Sequence, residues 1–122
     1  MDHRKIIYPE SLNDQGFLFG GNLLKWVDEY AYITATLEFP GNRFVTIGLD
    51  NVEFKHPIKP GEILRVVVER TRLGTTSVSY QVSVYGEKFA AKDQILFATA
   101  ITFVNVDRDG NKTAIQQSVA TP

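Results

Sequence analysis

The chain has 122 residues, enough for one domain and too few for a second independent core. Hydrophobic residues make up 43% and charged residues 22%, with 13 Lys and Arg against 14 Asp and Glu; this ordinary globular balance lacks the basic excess of a non-specific nucleic-acid binder. Cysteine is absent, which excludes disulfides, thiolate-bound zinc and a thiol nucleophile.

The opening Met1-Asp2-His3-Arg4-Lys5 is basic, but no apolar run long enough for a signal peptide follows it. Nor does any later stretch reach bilayer-spanning length. A cytoplasmic protein without a membrane or nucleic-acid partner is therefore expected. The segment from Ser11 to Gly21 reads as a loop, because Asn13, Asp14, Gly16, Gly20 and Gly21 all favour turns. A helix follows from about Gly21 or Asn22 to Leu37. Leu23, Val27, Tyr30, Ala31 and Thr34 recur at helical spacing, and Pro40-Gly41 stops the element.

Beyond Gly41 the pattern is β. Val45, Ile47 and Leu49 alternate in one phase and Val52 and Phe54 in the other, so a bulge or sharp bend is expected at Asp50-Asn51. Lys59-Pro60-Gly61-Glu62 is a turn, Ile63 to Leu73 a strand, and Gly74-Thr75 reverses it. Val78, Tyr80, Val82 and Val84 form the next strand, and Ile95 to Val106 the last. The expected domain is 1–122, with about 113–122 as a loose polar tail. One long helix against long antiparallel strands is an α+β arrangement, with a sheet of about five strands. The sheet's open edges suggest pairing with a second subunit.

Chemistry concentrates between Asn13 and Glu29. Gly20 and Gly21 at a helix start allow close approach to the backbone and leave the first amide N–H groups without helical partners. Such donors, at the positive end of the helix dipole, suit a developing oxyanion; equally, the paired glycines can simply serve a tight turn into the helix. Asp28 stands four residues after Leu24 and three before Ala31, at the edge of the apolar stripe. A carboxylate there is partly desolvated and serves as a proton acceptor, or else it pairs with Lys25. Glu29, four residues after Lys25, has the better pairing geometry and is expected to take that lysine. Asn13 is a turn former whose amide can also hold a water.

Other schemes lack their parts. His3 and His56 are the only histidines, and His56 beside Pro57 has no neighbouring carboxylate or nucleophile to complete a triad. There is no metal-ligand spacing, P-loop or dinucleotide-binding glycine pattern. A thioester needs least of this missing equipment, because a thiol ionises near pH 8 to 9 and leaves without a general acid.

Asn13, Gly16, Phe19-Gly20-Gly21 and Asp28-Glu29 resemble, in order and spacing, the hotdog-fold cytosolic acyl-CoA thioester hydrolases. The similarity runs on through Arg43-Phe44-Val45-Thr46, Asp50, Phe54, Pro57, Ile58, Gly61 and Leu73 to Ser77, and through Ala100 to Asp107 and Gly110. The resemblance implies a central helix wrapped by an antiparallel sheet, dimers joined sheet edge to sheet edge, and a homohexamer as trimer of dimers. It implies an acyl-CoA substrate, with no cofactor beyond that and no metal. Asp28 would be general base or nucleophile, facing Asn13 of the other subunit, with Gly20 or Gly21 supplying the oxyanion N–H. The turn Gly74, Thr75, Thr76 and Ser77 would lie near the coenzyme. Thr75 stands where many relatives carry Arg, so Arg72, Lys55 or Lys59 are the replacements for a phosphate contact. A non-catalytic acyl-CoA binding or sensing module on the same fold is the alternative; a hotdog hydratase would need a catalytic histidine that neither His3 nor His56 provides.

Overall fold

The structure, a computed structural model, describes residues 1–117. Its elements run β1 (Asp2–Ile6), a 3-10 turn (Pro9–Ser11), α1 (Gly20–Glu38), β2 (Phe44–Phe54), β3 (Ile63–Leu73), β4 (Ser77–Gly86) and β5 (Ile95–Asn105). The five strands form one antiparallel sheet in the order β1-β3-β4-β5-β2. The α+β expectation of a single long helix against about five strands is met.

The helix lies against one sheet face because both carry matching apolar stripes. Leu23, Val27, Ala31 and Ala35 repeat at three- and four-residue intervals and are buried. They meet Leu64, Val66 and Val68 of β3, Val78, Tyr80, Val82 and Val84 of β4, and Phe97, Ile101 and Phe103 of β5, all in one core. The alternating residues of β3 and β4 point away from the helix, as a half-buried strand requires. At 19 residues the helix is roughly 28 Å long.

Three features depart from the sequence expectations. The charged N-terminus forms β1, pairing with β3 from Asp2 opposite Val67 to Ile6 opposite Ile63. Within the segment expected to be loose, Thr113 N–H donates to Asn105 O, Ile115 N–H donates to Thr75 O, and the Ile115 side chain is buried; 118–122 lies outside the described residues. Lys25 forms no ion pair with Glu29 or Asp28 among the described residues. The expected irregularity in β2 is present: its register with β5 shifts between Thr46 and Gly48 and between Asp50 and Glu53, and Asn51 has φ +53°.

Glu62 is only 2% exposed, yet its carboxylate oxygens accept the backbone N–H groups of Ile63, Lys88, Phe89 and Ala90 at 2.8 to 3.0 Å. Burial alone would push this carboxyl up; the N–H groups overcome it and hold the group below the usual carboxylate range. Glu62 thereby fixes the loop between β4 and β5. Because its folded value is depressed, its stabilisation is complete above the unfolded-chain value and is lost as pH falls through the folded one. Glu62→Gln should therefore cost about 2 kcal/mol at neutral pH and flatten the acid limb of stability. Urea midpoints of both proteins between pH 7 and pH 3 check this, and parallel acid limbs would contradict it.

Candidate active site

Ser11 to Phe19 packs as a loop that delivers Asn13 beside the start of α1. Phe19 N–H donates to Ser11 O at 3.0 Å, Asn22 Nδ2 donates to the same oxygen at 3.0 Å, and Leu18 N–H donates to Ile58 O at 2.8 Å. The loop is thus tied both to the helix and to the β2–β3 connection. Asn13 Oδ1 accepts the N–H groups of Gln15 and Phe17 at 2.9 and 3.1 Å, so its turn-forming role is real. Its Nδ2 has no acceptor among the described residues and remains available as a donor.

The helix begins without a side-chain cap. Asn22 and Leu23 N–H donate to Phe19 O, whereas the N–H groups of Gly20 and Gly21 meet no acceptor among the described residues. Aromatic rings crowd both positions. A Cβ on Gly20 would lie 3.2 Å from the Phe54 ring, and one on Gly21 would lie 2.7 Å from the Phe19 ring. Asn13 and Gly20 line one cavity of about 300 Å³, with Phe17, Leu18, Phe54 and His56 also in its walls. Of the aromatic residues on the helix, Trp26 and Tyr30 are partly buried and pack against the core.

Asp28 lies eight residues into the helix from Gly20, about 12 Å along its axis, and is not part of that cavity's wall. Its half-buried carboxylate accepts a 2.6 Å hydrogen bond from Thr46 Oγ1 on β2. Thr46 stood in the sequence only as the end of the Arg43–Thr46 stretch, with no role assigned; its phase in β2, shared with the buried Phe44, points it at the helix. One chain therefore holds the candidate residues in two separate groups: Asn13 with the free amides, and Asp28 with Thr46. The turn bearing Gly74, Thr75, Thr76 and Ser77 lies at the opposite end of β4 from the β4–β5 loop. Its backbone is partly engaged, with Gly74 N–H donating to Ser77 O and Thr76 O accepting from Asn105. Arg72 flanks it, just after a register shift between Arg70 and Arg72, and makes no ion pair among the described residues. No group of three or more His, Cys, Asp or Glu side chains could hold a metal among the described residues, and no helix there is long and apolar enough to cross a membrane.

The two roles of Asn13 are separable by substitution. Asn13→Ala removes both N–H contacts and should cost about 1 kcal/mol, whereas Asn13→Asp keeps an acceptor oxygen and should melt close to the parent. Thermal melts compare the three, and equal losses in both variants would remove the turn role.

Comparison with known proteins bears on the family and the fold. Residues 15–88 match the family described as the thioesterase superfamily. The chain is 31% identical over 116 residues to the acyl-CoA thioester hydrolase YciA of Escherichia coli, covering 92% of this chain and 87% of that protein. It is 30% identical to the uncharacterized acyl-CoA thioester hydrolase YkhA of Bacillus subtilis, covering 93% of this chain but 66% of that one, and it spans only 50% of the Helicobacter pylori protein VdlD. Among solved structures, the acyl-CoA hydrolase of Staphylococcus aureus in complex with butyryl coenzyme A superposes with a TM-score of 0.82 at 30% identity, over 96% of this chain and 69% of that one. The hexameric hotdog fold thioesterase of Campylobacter jejuni gives 0.81 at 30% identity, over 93% and 88%. The staphylococcal enzyme has also been solved with single Asp, Thr and Asn residues changed to Ala. The interval between that Asn and that Asp equals the one from Asn13 to Asp28, and that Thr follows its Asp one residue sooner than Thr46 follows Asp28. With one helix on a five-stranded antiparallel sheet and a family match across most of that architecture, this chain belongs to the thioesterase superfamily and has the hotdog fold.

Proposed function

We propose that this protein hydrolyses acyl-CoA thioesters at sites shared between two copies of the chain. The observation that carries the reading is the division of the site into an amide-rich half and a carboxylate half on one helix. Both halves also sit beside β2, which among the described residues pairs only with β5 and leaves its other edge open. Asp28 is bonded to Thr46 near one end of that strand, and Gly20 abuts Phe54 at the other. Two β2 strands paired antiparallel about an axis near Asp50 set position 46 of one copy opposite position 54 of the next. Asp28 of each copy then approaches Asn13 and Gly20 of its partner. The same pairing turns the partner's Gly74 to Ser77 segment toward the β2–β3 end, where a coenzyme leaving the thioester cavity would run.

In this arrangement the thioester oxygen accepts from the Gly20 N–H, with Gly21 near by, and Asn13 Nδ2 holds the carbonyl or the water. Asp28 takes a proton from water as the hydroxide oxygen bonds to the carbonyl carbon, or its carboxylate attacks directly to give an anhydride that water opens. Collapse of the tetrahedral intermediate breaks the carbon–sulfur bond and expels the CoA thiolate, which needs no general acid. Thr46 is a positioning residue, since its hydroxyl fixes the Asp28 carboxylate. Hexamers of the kind formed by the Campylobacter relative are the assembly proposed here, with the β2-joined dimer as the unit.

Asp28→Asn should lower kcat by a hundredfold or more with stability little changed, measured as release of free CoA thiol; near-normal turnover would end the mechanism. Site sharing has its own test. Asp28→Asn and Asn13→Ala chains, each inactive alone, should regain about a quarter of wild-type activity when refolded together, because random mixing gives half hybrids with one intact site of two. If both residues came from the same chain, no mixture would recover activity.

A further inference from the structure

The helix carries three aromatic residues, and packing accounts for two of them. The Trp26 ring lies 4.8 Å from the Lys5 ammonium, Tyr30 stacks on the His3 ring at 4.7 Å, and both pack against the core. Tyr32 differs. It is 45% exposed, and its hydroxyl has no hydrogen-bond partner among the described residues. Its ring is nevertheless held edge-on to Phe103, with centroids 6.4 Å apart and planes at 67°. Phe103 is fully buried and packs in turn on Phe44 and Tyr80, at 6.3 and 6.2 Å.

This ring stands next to the carboxylate. Tyr32 follows Asp28 by four residues on the same flank of the helix, one turn and about 6 Å along the axis. A helical side chain leans back over the preceding turn, so the ring covers the ground between the two residues. The sheet gives the same placement: Phe103 on β5 pairs with Thr46 on β2, and Thr46 bonds the Asp28 carboxylate at 2.6 Å. Before Asp28 the flank carries Gly21, which has no side chain, and Leu24, which is partly buried against the core. The flank is therefore low before Asp28 and obstructed one turn after it.

A thioester carbonyl held at Asp28 sends out two substituents, the sulfur and the acyl chain. On the partner's side of the seam lies a cavity that mixes Phe17, Leu18 and Phe54 with Asn13, Gln15 and Lys55, which suits the amide-bearing arm of the coenzyme. On the Asp28 side lie the rings of Tyr32 and Phe103, which suit hydrocarbon. We propose that Tyr32 is a specificity residue that closes the acyl channel one turn beyond Asp28 and restricts hydrolysis to short acyl groups. This assignment rests on the acyl-CoA reading. About 6 Å of helix takes a few methylene groups; a longer chain must displace a ring held by Phe103 or leave its end in water.

The test measures kcat/KM for butyryl-CoA and decanoyl-CoA by thiol release. The wild type should favour butyryl-CoA. Tyr32→Ala should raise the decanoyl-to-butyryl ratio about tenfold, Tyr32→Phe should keep the wild-type ratio, and Tyr32→Trp should lower it. Calorimetry with S-butyl-CoA and S-decyl-CoA, thioethers that carry the chain without a cleavable carbonyl, should give the same order in Kd. A ratio unmoved in Tyr32→Ala, an equal loss on both substrates, or a wild-type preference for decanoyl-CoA would overturn the assignment. If Tyr32→Ala does not fold, the contrast between Tyr32→Phe and Tyr32→Trp decides in its place. Absence of thiol release from both substrates would overturn the catalytic reading instead, and the thioether contrast would still decide the channel.

Discussion

Everything in this molecule follows from burying one helical stripe on one face of a sheet. Leu23, Val27, Ala31 and Ala35 find enough apolar surface on β3, β4 and β5, but α1 is a cylinder and the sheet covers one side of it. The helix start, with its glycines, and the Asp28 flank both emerge at the border of this contact, next to β2. A helix cannot bring residues 20 and 28 to one reacting carbon, because their axial separation is fixed by its rise. Two-fold pairing along β2 removes that obstacle without bending anything. In the proposed dimer, catalytic geometry and quaternary structure are one problem with one solution.

The chemistry assigned to the site matches its modest inventory. A hydrolase acting on an ester or amide must help a poor leaving group depart, which calls for an acid near the leaving atom. Here His56 borders the cavity but has no carboxylate partner among the described residues. Free backbone amides, an amide side chain and a carboxylate oriented by a threonine hydroxyl suffice for a thioester, whose sulfur leaves as a stable anion. The donors proposed for the oxyanion are main-chain groups held by a loop bonded at Ser11, Asn13 and Leu18, an arrangement that leaves little reorganisation for the moment of reaction.

Period and punctuation made much of this legible in the sequence. The 3.6-residue stripe gave the helix to within a residue or two, the change of phase at Asp50-Asn51 gave the bulge, and the glycine pair gave the free amides. What was not legible depends on partners distant along the chain. Asp2 to Ile6 reads as charged and polar, and becomes a strand because the backbone of β3 is there to receive it. Lys25 and Glu29 have helical spacing for an ion pair, but both are exposed, where such a pair gains little over hydration. Thr46 and Glu62 are single polar residues whose roles come from contacts 18 and 26 to 28 residues away, beyond any local pattern. Ile115 looked like part of a polar tail until Thr75 offered it a backbone acceptor.

The two borders of the sheet are built to opposite ends. At β1 the exposed side chains are Asp2, Arg4 and Ile6, and Arg4 joins Arg65, Asp2 and Glu87 in a charged lattice across the edge. Another strand docking there would have to desolvate those ions, so this edge resists pairing. At β2 the exposed residues include Val45, Ile47, Val52 and Phe54, which gain by being covered. A sheet with two apolar edges would add strands without end. One guarded edge and one adhesive edge permit a single self-complementary pairing that closes on itself. That closed pairing is the one that, in the proposed dimer, would join the carboxylate of each copy to the free amides of the other.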